Sequence, residues 1–133
     1  MPRRLVFLLA AVALAGCGGT ASSSGNFSGT ERDVADQVEA LQSAGEARDG
    51  DKACNDVLSA ALRRAMTTST ATCGDQVAEA MKDADDFELD VRAVQVNGDR
   101  ATARVQARFG GADRVRSLAL VRERGAWRID SLG

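Results

Sequence analysis

Histidine and tyrosine are both absent from this 133-residue chain, and aromatic residues of every kind make up 4% of it. Without histidine the chain lacks the usual general base near neutral pH and the commonest metal ligand. No apolar run exceeds the eleven residues from Leu5 to Ala15, whereas an α-helix needs about 20 to cross a bilayer. Positive charge is not in excess either: 17 basic side chains face 19 acidic ones, for a net charge of −2. That balance argues against nonspecific nucleic-acid binding, which depends on neutralised phosphates. Asp83, Asp85, Asp86, Glu88 and Asp90 form the densest acidic run. It lacks the turn glycine and distal glutamate of a helix–loop–helix calcium site, so it reads as a solvated helix end and strand edge.

What the chain does have begins at its start. Arg3 and Arg4 precede the apolar run, and Leu14-Ala15-Gly16-Cys17 closes it with small residues before a cysteine. A basic start, an apolar stretch and a small-residue end make a secretory signal with its cleavage site, here residues 1–16. Its last four residues resemble the lipobox of bacterial lipoproteins. The resemblance implies a diacylglyceryl group on the Cys17 thiol and cleavage just before it. Two acyl chains give a stable anchor where one gives a marginal one. The expected location is therefore the outer face of a bacterial cell membrane. Residues 18–30 are nearly all Gly, Ser, Thr and Ala, with one Phe27, and are expected to form a flexible tether. Residues 31–133 are expected to form a single domain.

With Cys17 committed to lipid, Cys54 and Cys73 remain. In an oxidising extracytoplasmic space they are expected to form a disulfide, with two free thiols as the alternative. In the chain-entropy model a loop of this length is worth about 3 kcal/mol. Two thiolates without histidine are a poor zinc site, and no other cofactor or metal is called for. Charge divides along the chain, −9 over residues 31–90 and +5 over residues 91–133. Arginine outnumbers lysine fifteen to two, a usage resembling that of GC-rich bacteria such as actinobacteria.

Hydrophobic spacing changes halfway. Thr30 is placed as the cap of a first helix carrying Val34, Val38 and Leu41 on one stripe, ending near Arg48. Asp51 is placed as the cap of a second helix with Cys54, Val57 and Leu58, and Ser59 as the cap of a short continuation to Met66. A third helix is expected over 74–84, with Val77, Met81 and Ala84 inward. From Phe87 onward the period is two. Asn97-Gly98, Gly110 to Asp113 and Arg124-Gly125 mark three turns, so the expectation is a four-stranded antiparallel meander.

Closing residues 110–113 as a four-residue loop pairs Val105 with Leu118, Ala103 with Leu120, and Arg100 with Glu123. Closing Arg124-Gly125 as a two-residue turn pairs Leu120 with Ile129 and Arg122 with Trp127. Both hairpins put Leu118 and Leu120 on the face of Val105. The first hairpin, closed at Asn97-Gly98, would carry Arg92 into that face beside Ala103. One extra residue near Arg92-Ala93 restores Phe87, Leu89 and Val91 to it. A β-bulge is therefore predicted there, with a bend in the sheet.

This α+β order, three N-terminal helices packed on a bent four-stranded antiparallel sheet, resembles the nuclear-transport-factor-2-like or cystatin-like roll. Residues 47–51, 98–102 and 127–130 look like that family's first turn, second strand and last strand. The family includes isomerases, dehydratases and noncatalytic members, so fold alone assigns no activity. Its enzymes rely on Tyr, His and Asp within a conical cavity, and two of those types are missing here.

A noncatalytic binding domain is therefore expected, for a protein partner or a small apolar ligand. An enzyme using a cavity Asp and a self-associating module are the alternatives. Phe87, Leu89, Val105, Leu118, Leu120 and Trp127 are the candidate pocket lining. Arg100, Arg104 and Arg108, spaced about 13 Å apart on the opposite sheet face, are a candidate surface for a protein partner or homodimer, with Asp130 two strands from Arg104. Replacing Cys17 by Ser is expected to release the protein from membranes. Fractionation that finds the variant still membrane-bound would contradict acylation.

Overall fold

The computed structural model describes residues 23–83 and 86–133. The leader, Cys17, Ala84 and Asp85 lie outside the described residues. Four helices precede a four-stranded sheet in the order β1-β2-β3-β4. The helices are α1 (Gly29–Glu46), α2 (Gly50–Lys52), α3 (Ala60–Met66) and α4 (Cys73–Met81). The strands are β1 (Glu88–Asn97), β2 (Arg100–Phe109), β3 (Ala112–Glu123) and β4 (Ala126–Ser131). No described helix is long and apolar enough to cross a membrane.

Helix α1 starts before the expected cap: Ser28 holds the cap position in extended conformation, and Thr30 lies inside the first turn. The segment leading into it is not a free tether. Ser23–Asn26 forms a 3-10 turn, the Ser24 N–H donates to Glu39 Oε1 at 2.8 Å, and Phe27 packs against the core. Phe27 and the Ser24–Glu39 bond together attach those residues to α1. The ordered domain thus takes in part of the stretch assigned to the tether.

The expected second helix breaks up. Asp49, not Asp51, accepts the capping bond from the Lys52 N–H at 3.0 Å. After the three residues of α2, the chain widens into a π turn, Ala53–Val57, closed by the Leu58 N–H on the Ala53 carbonyl at 2.9 Å. Leu58 then turns extended, forms a parallel bridge with Ile129, and Ser59 donates its N–H to the Ile129 carbonyl at 2.8 Å. This contact with β4 separates α2 from α3. Ser59 caps α3 as the sequence indicates, accepting from the Leu62 N–H at 3.0 Å. Helix α4 opens with a reciprocal cap between Thr72 and Asp75 and ends at Met81, short of residue 84.

Cys54 and Cys73 form a disulfide, joining the π turn to the start of α4. Two glycines beside it let the chain segments touch. A Cβ on Gly50 would sit 2.1 Å from the Gly74 carbonyl oxygen, and one on Gly74 would sit 2.1 Å from Asp51 Oδ1. The first of these contacts is with backbone, which has little freedom to retreat.

The sheet pairs as a meander. β3 and β4 take the expected register from Leu120 to Glu123, with Leu120 opposite Ile129 and Arg122 opposite Trp127, but an irregularity between Ala119 and Leu120 sets Ala119 opposite Ser131 rather than Asp130. β2 and β3 are shifted by two from the expected register. Val105 faces Arg116, Ala103 faces Leu118, Ala101 faces Leu120, and Arg100 faces Val121 rather than Glu123. Gly110 and Gly111 have φ of +59° and +78°, so they alone make the turn and Phe109 pairs with Ala112. In the first hairpin Gly98 and Asp99 are the central residues, so Val94 pairs with Ala103 rather than with Ala101. Both changes are even-numbered and leave every side chain on its expected face. The bulge lies between Val91 and Ala93, at Arg92, and it leaves Leu89, Val91 and Val94 all buried.

The core lies between this inner sheet face and the helices. Val34, Val38, Val57, Val105, Leu120 and Ile129 are its most enclosed apolar side chains. Gly50→Ala is expected to destabilise the domain by about 1–3 kcal/mol, the usual cost of overpacking. At about 4–8 °C per kcal/mol for a domain of this size, calorimetry should show a clearly lowered Tm. Gly25→Ala, where a Cβ meets nothing within 4 Å, is the matched control and should leave Tm nearly unchanged.

Candidate functional site

The helices do not fill the concave face of the sheet at the Phe87 end. An apolar cavity of about 310 Å³ remains there. Met66 and Met81 reach it from α3 and α4, Phe87 from the entry to β1, Val105 from β2 and Leu118 from β3. Leu89 and Ala107 complete the sheet wall, and Leu132 approaches from beyond β4. Gln42 of α1 accepts the Leu89 N–H at 2.7 Å, fixing the first helix to the start of β1. Phe87 is held from both sides. A Cβ on Gly45 would come within 2.6 Å of its ring, and Phe109 meets it edge to face with centroids 6.3 Å apart. Among the described residues, Arg116 is the one charged side chain that lines this cavity.

Of the six candidate lining residues, Phe87, Leu89, Val105 and Leu118 surround the cavity. Leu120 and Trp127 do not. Leu120 is 1% exposed and sits deep in the filled core. Trp127 lies at the opposite end of the sheet, beside the β3–β4 turn, under the Arg122 guanidinium at 4.6 Å from the ring centroid. It lines a separate polar groove of about 560 Å³ together with Asp33, Gln37, Asp56 and Arg128. Sharing an inner face is not sharing a cavity, because β3 and β4 carry that face along their whole length. Arg116, Met66 and Leu132 were missed by sequence reasoning. Arg116 had a signal, since it falls on the same alternation as Leu118 and Leu120.

The arginines of β2 all lie on the outer face and are exposed. They do not act alike. Arg108 donates from Nε to Asp113 Oδ1 at 2.8 Å across the β2–β3 turn. Arg104 faces Ser117, and Arg100 faces Val121. The expected acidic neighbours are engaged elsewhere: Glu123 accepts the Ala60 N–H at 3.2 Å, and Asp130 accepts the Ser59 hydroxyl at 2.6 Å. Both acids serve the start of α3; the two-residue shift of β2 on β3 takes Arg100 from opposite Glu123, and that shift together with the irregularity between Ala119 and Leu120 takes Asp130 out of line with Arg104. Val115 on the same face is 61% exposed.

Within the acidic run, Asp86 accepts the Gly111 N–H at 3.1 Å, and Asp90 pairs with Arg92 at 3.0 Å. No three acidic or sulfur side chains converge on a metal position among the described residues.

No family model matches this chain. No curated protein matches it either. Among solved structures, one named Rd1NTF2_05, with further substitutions in its name, superposes with a TM-score of 0.54 at 17% identity, covering 75% of this chain and 95% of its own. The fold is the nuclear-transport-factor-2-like roll. At that identity the likeness concerns the backbone arrangement alone.

The Arg108–Asp113 contact has a measurable consequence. The hydrogen bond from Arg108 holds the Asp113 carboxyl below the ordinary aspartate range, and the same bond raises the guanidinium. Because the folded-state value is depressed, the contribution to stability is present above the unfolded aspartate value and fades as pH falls through the folded one. Carbon-detected titration is expected to place Asp113 below a model-peptide aspartate, and Arg108→Ala to move it up. An unchanged Asp113 in the variant would mean that the pair does not persist in solution.

Proposed function

We propose that this chain is a lipid-anchored envelope protein, held by Cys17 at the outer membrane face, whose domain is a noncatalytic receptor for a small apolar ligand. The observation that carries the binding half is the apolar cavity. At about 310 Å³ it falls at the lower end of the range of small-molecule sites, which are mostly apolar with few polar groups. Its walls contain no carboxylate among the described residues. This cavity therefore offers no side chain suited to act as a general acid or base, and its lining favours binding. The anchoring half rests on the lipobox-like residues 14–17.

Methionine methyl signals give a local readout, because Met66 and Met81 both line the cavity. Titrating the full chain with decanol is expected to shift both signals. Ala107→Phe, which places a ring inside the cavity, is expected to abolish the shifts while leaving the fold intact by circular dichroism. Unmoved Met66 and Met81 signals up to the solubility limit of decanol would refute the receptor reading.

A further inference from the structure

We infer that the cavity's ligand is an anionic amphiphile: one alkyl chain of about ten carbons ending in a carboxylate or phosphate that pairs with Arg116. This rests on the receptor reading above and adds the head group and the chain length. The length comes from the space available. At about 30 Å³ for a water-sized group, 310 Å³ admits about ten heavy atoms. A fused-ring lipid is far too large.

The head group comes from the charge. Arg116 stands opposite Val105, which is fully buried in the cavity wall. It shares the alternation of Leu118, so its stem lies on the inner face while its head reaches the rim. A Cβ on Gly133 would lie 3.6 Å from Arg116 Cδ, so the chain after β4 packs along that stem. Among the described residues, Arg116 forms no ion pair.

Arg116 presents a planar guanidinium fork at the edge of an apolar space, and that fork matches carboxylate or phosphate oxygens. A neutral apolar ligand would leave it unpaired. An anionic one seats its tail against Met66, Met81 and Phe87 and its head on Arg116. Free fatty acids and phosphorylated alkyl chains share this chemistry.

The test compares decanoate, decyl phosphate and decanol on the full chain, read by the Met66 and Met81 methyl signals. At least one of the two anions is expected to bind about tenfold or more tightly than decanol, as a charged hydrogen bond warrants. Whichever anion binds more tightly identifies the head group. Arg116→Gln should bring that anion down to the level of decanol without changing decanol itself, and Arg116→Lys should recover part of the loss. Arg116 is exposed, so neither change threatens the fold. Decanol binding as tightly as both anions, or an Arg116→Gln variant that binds the anions undiminished, would overturn the anionic assignment and leave the apolar receptor standing. Failure of all three probes to shift either methionine would remove the receptor reading as well.

Discussion

The bulge at Arg92 is the constraint on which the rest of the structure depends. With Val94 and Val96 facing inward, strict alternation through Glu88–Asn97 would bury Arg92 and expose Leu89 and Val91. Inserting one residue between Val91 and Ala93 lets the apolar positions on both sides face inward. The same insertion raises local twist and bends the strand. A bent sheet presents a concave face, and α1 can press closely against only part of it. Where Val34, Val38, Leu120 and Ile129 meet, the space is full. Toward Phe87 it is not.

Composition makes that gap harder to close. The inner-face positions of β2 are Ala101, Ala103, Val105, Ala107 and Phe109, so three of the five are alanine. With aromatics at 4% of the chain, few large side chains are on hand to reach across. Phe87 is the ring nearest the gap, and it is turned against Phe109 and Gly45. Met66 and Met81, flexible and soft, border what is left. The helices are meanwhile held in place by local devices: the Cys54–Cys73 disulfide, the contact of Gly50 with Gly74, and the Leu58–Ile129 bridge.

How much of this could be read from the sequence follows from the physics of each signal. Face assignment was legible because alternation is a parity, and parity survives a slip of two; the bulge emerged from the same arithmetic. Register was less legible, because two adjacent glycines can close a tighter turn than Gly110 to Asp113 suggested, and Asn97-Gly98 fits a turn centred one residue later. The starts of the first two helices lie two residues earlier than expected: Asp49 and Asp51 both carry an oxygen suited to a cap, and Ser28 holds the cap position without any side-chain bond that a motif could announce. The break at Leu58-Ser59 was hidden because its cause is a contact with β4, distant in sequence. Depth along the sheet was the least legible property. Nothing local distinguishes Leu118, which borders the cavity, from Leu120, which is sealed in the core, and alternation puts Arg116 on the inner face without showing that a cavity lies beside it.

The account turns on the apolar space that the sheet and helices leave at the Phe87 end of the domain. Apolar cavities of this kind admit xenon. The most direct measurement is therefore methyl chemical shifts of the full chain under xenon pressure. Saturable shifts concentrated at Met66, Met81, Val105 and Leu118, with Leu120 and Ile129 nearly still, are the predicted result. Shifts that are absent, or that rise linearly and evenly across the surface, would contradict the account.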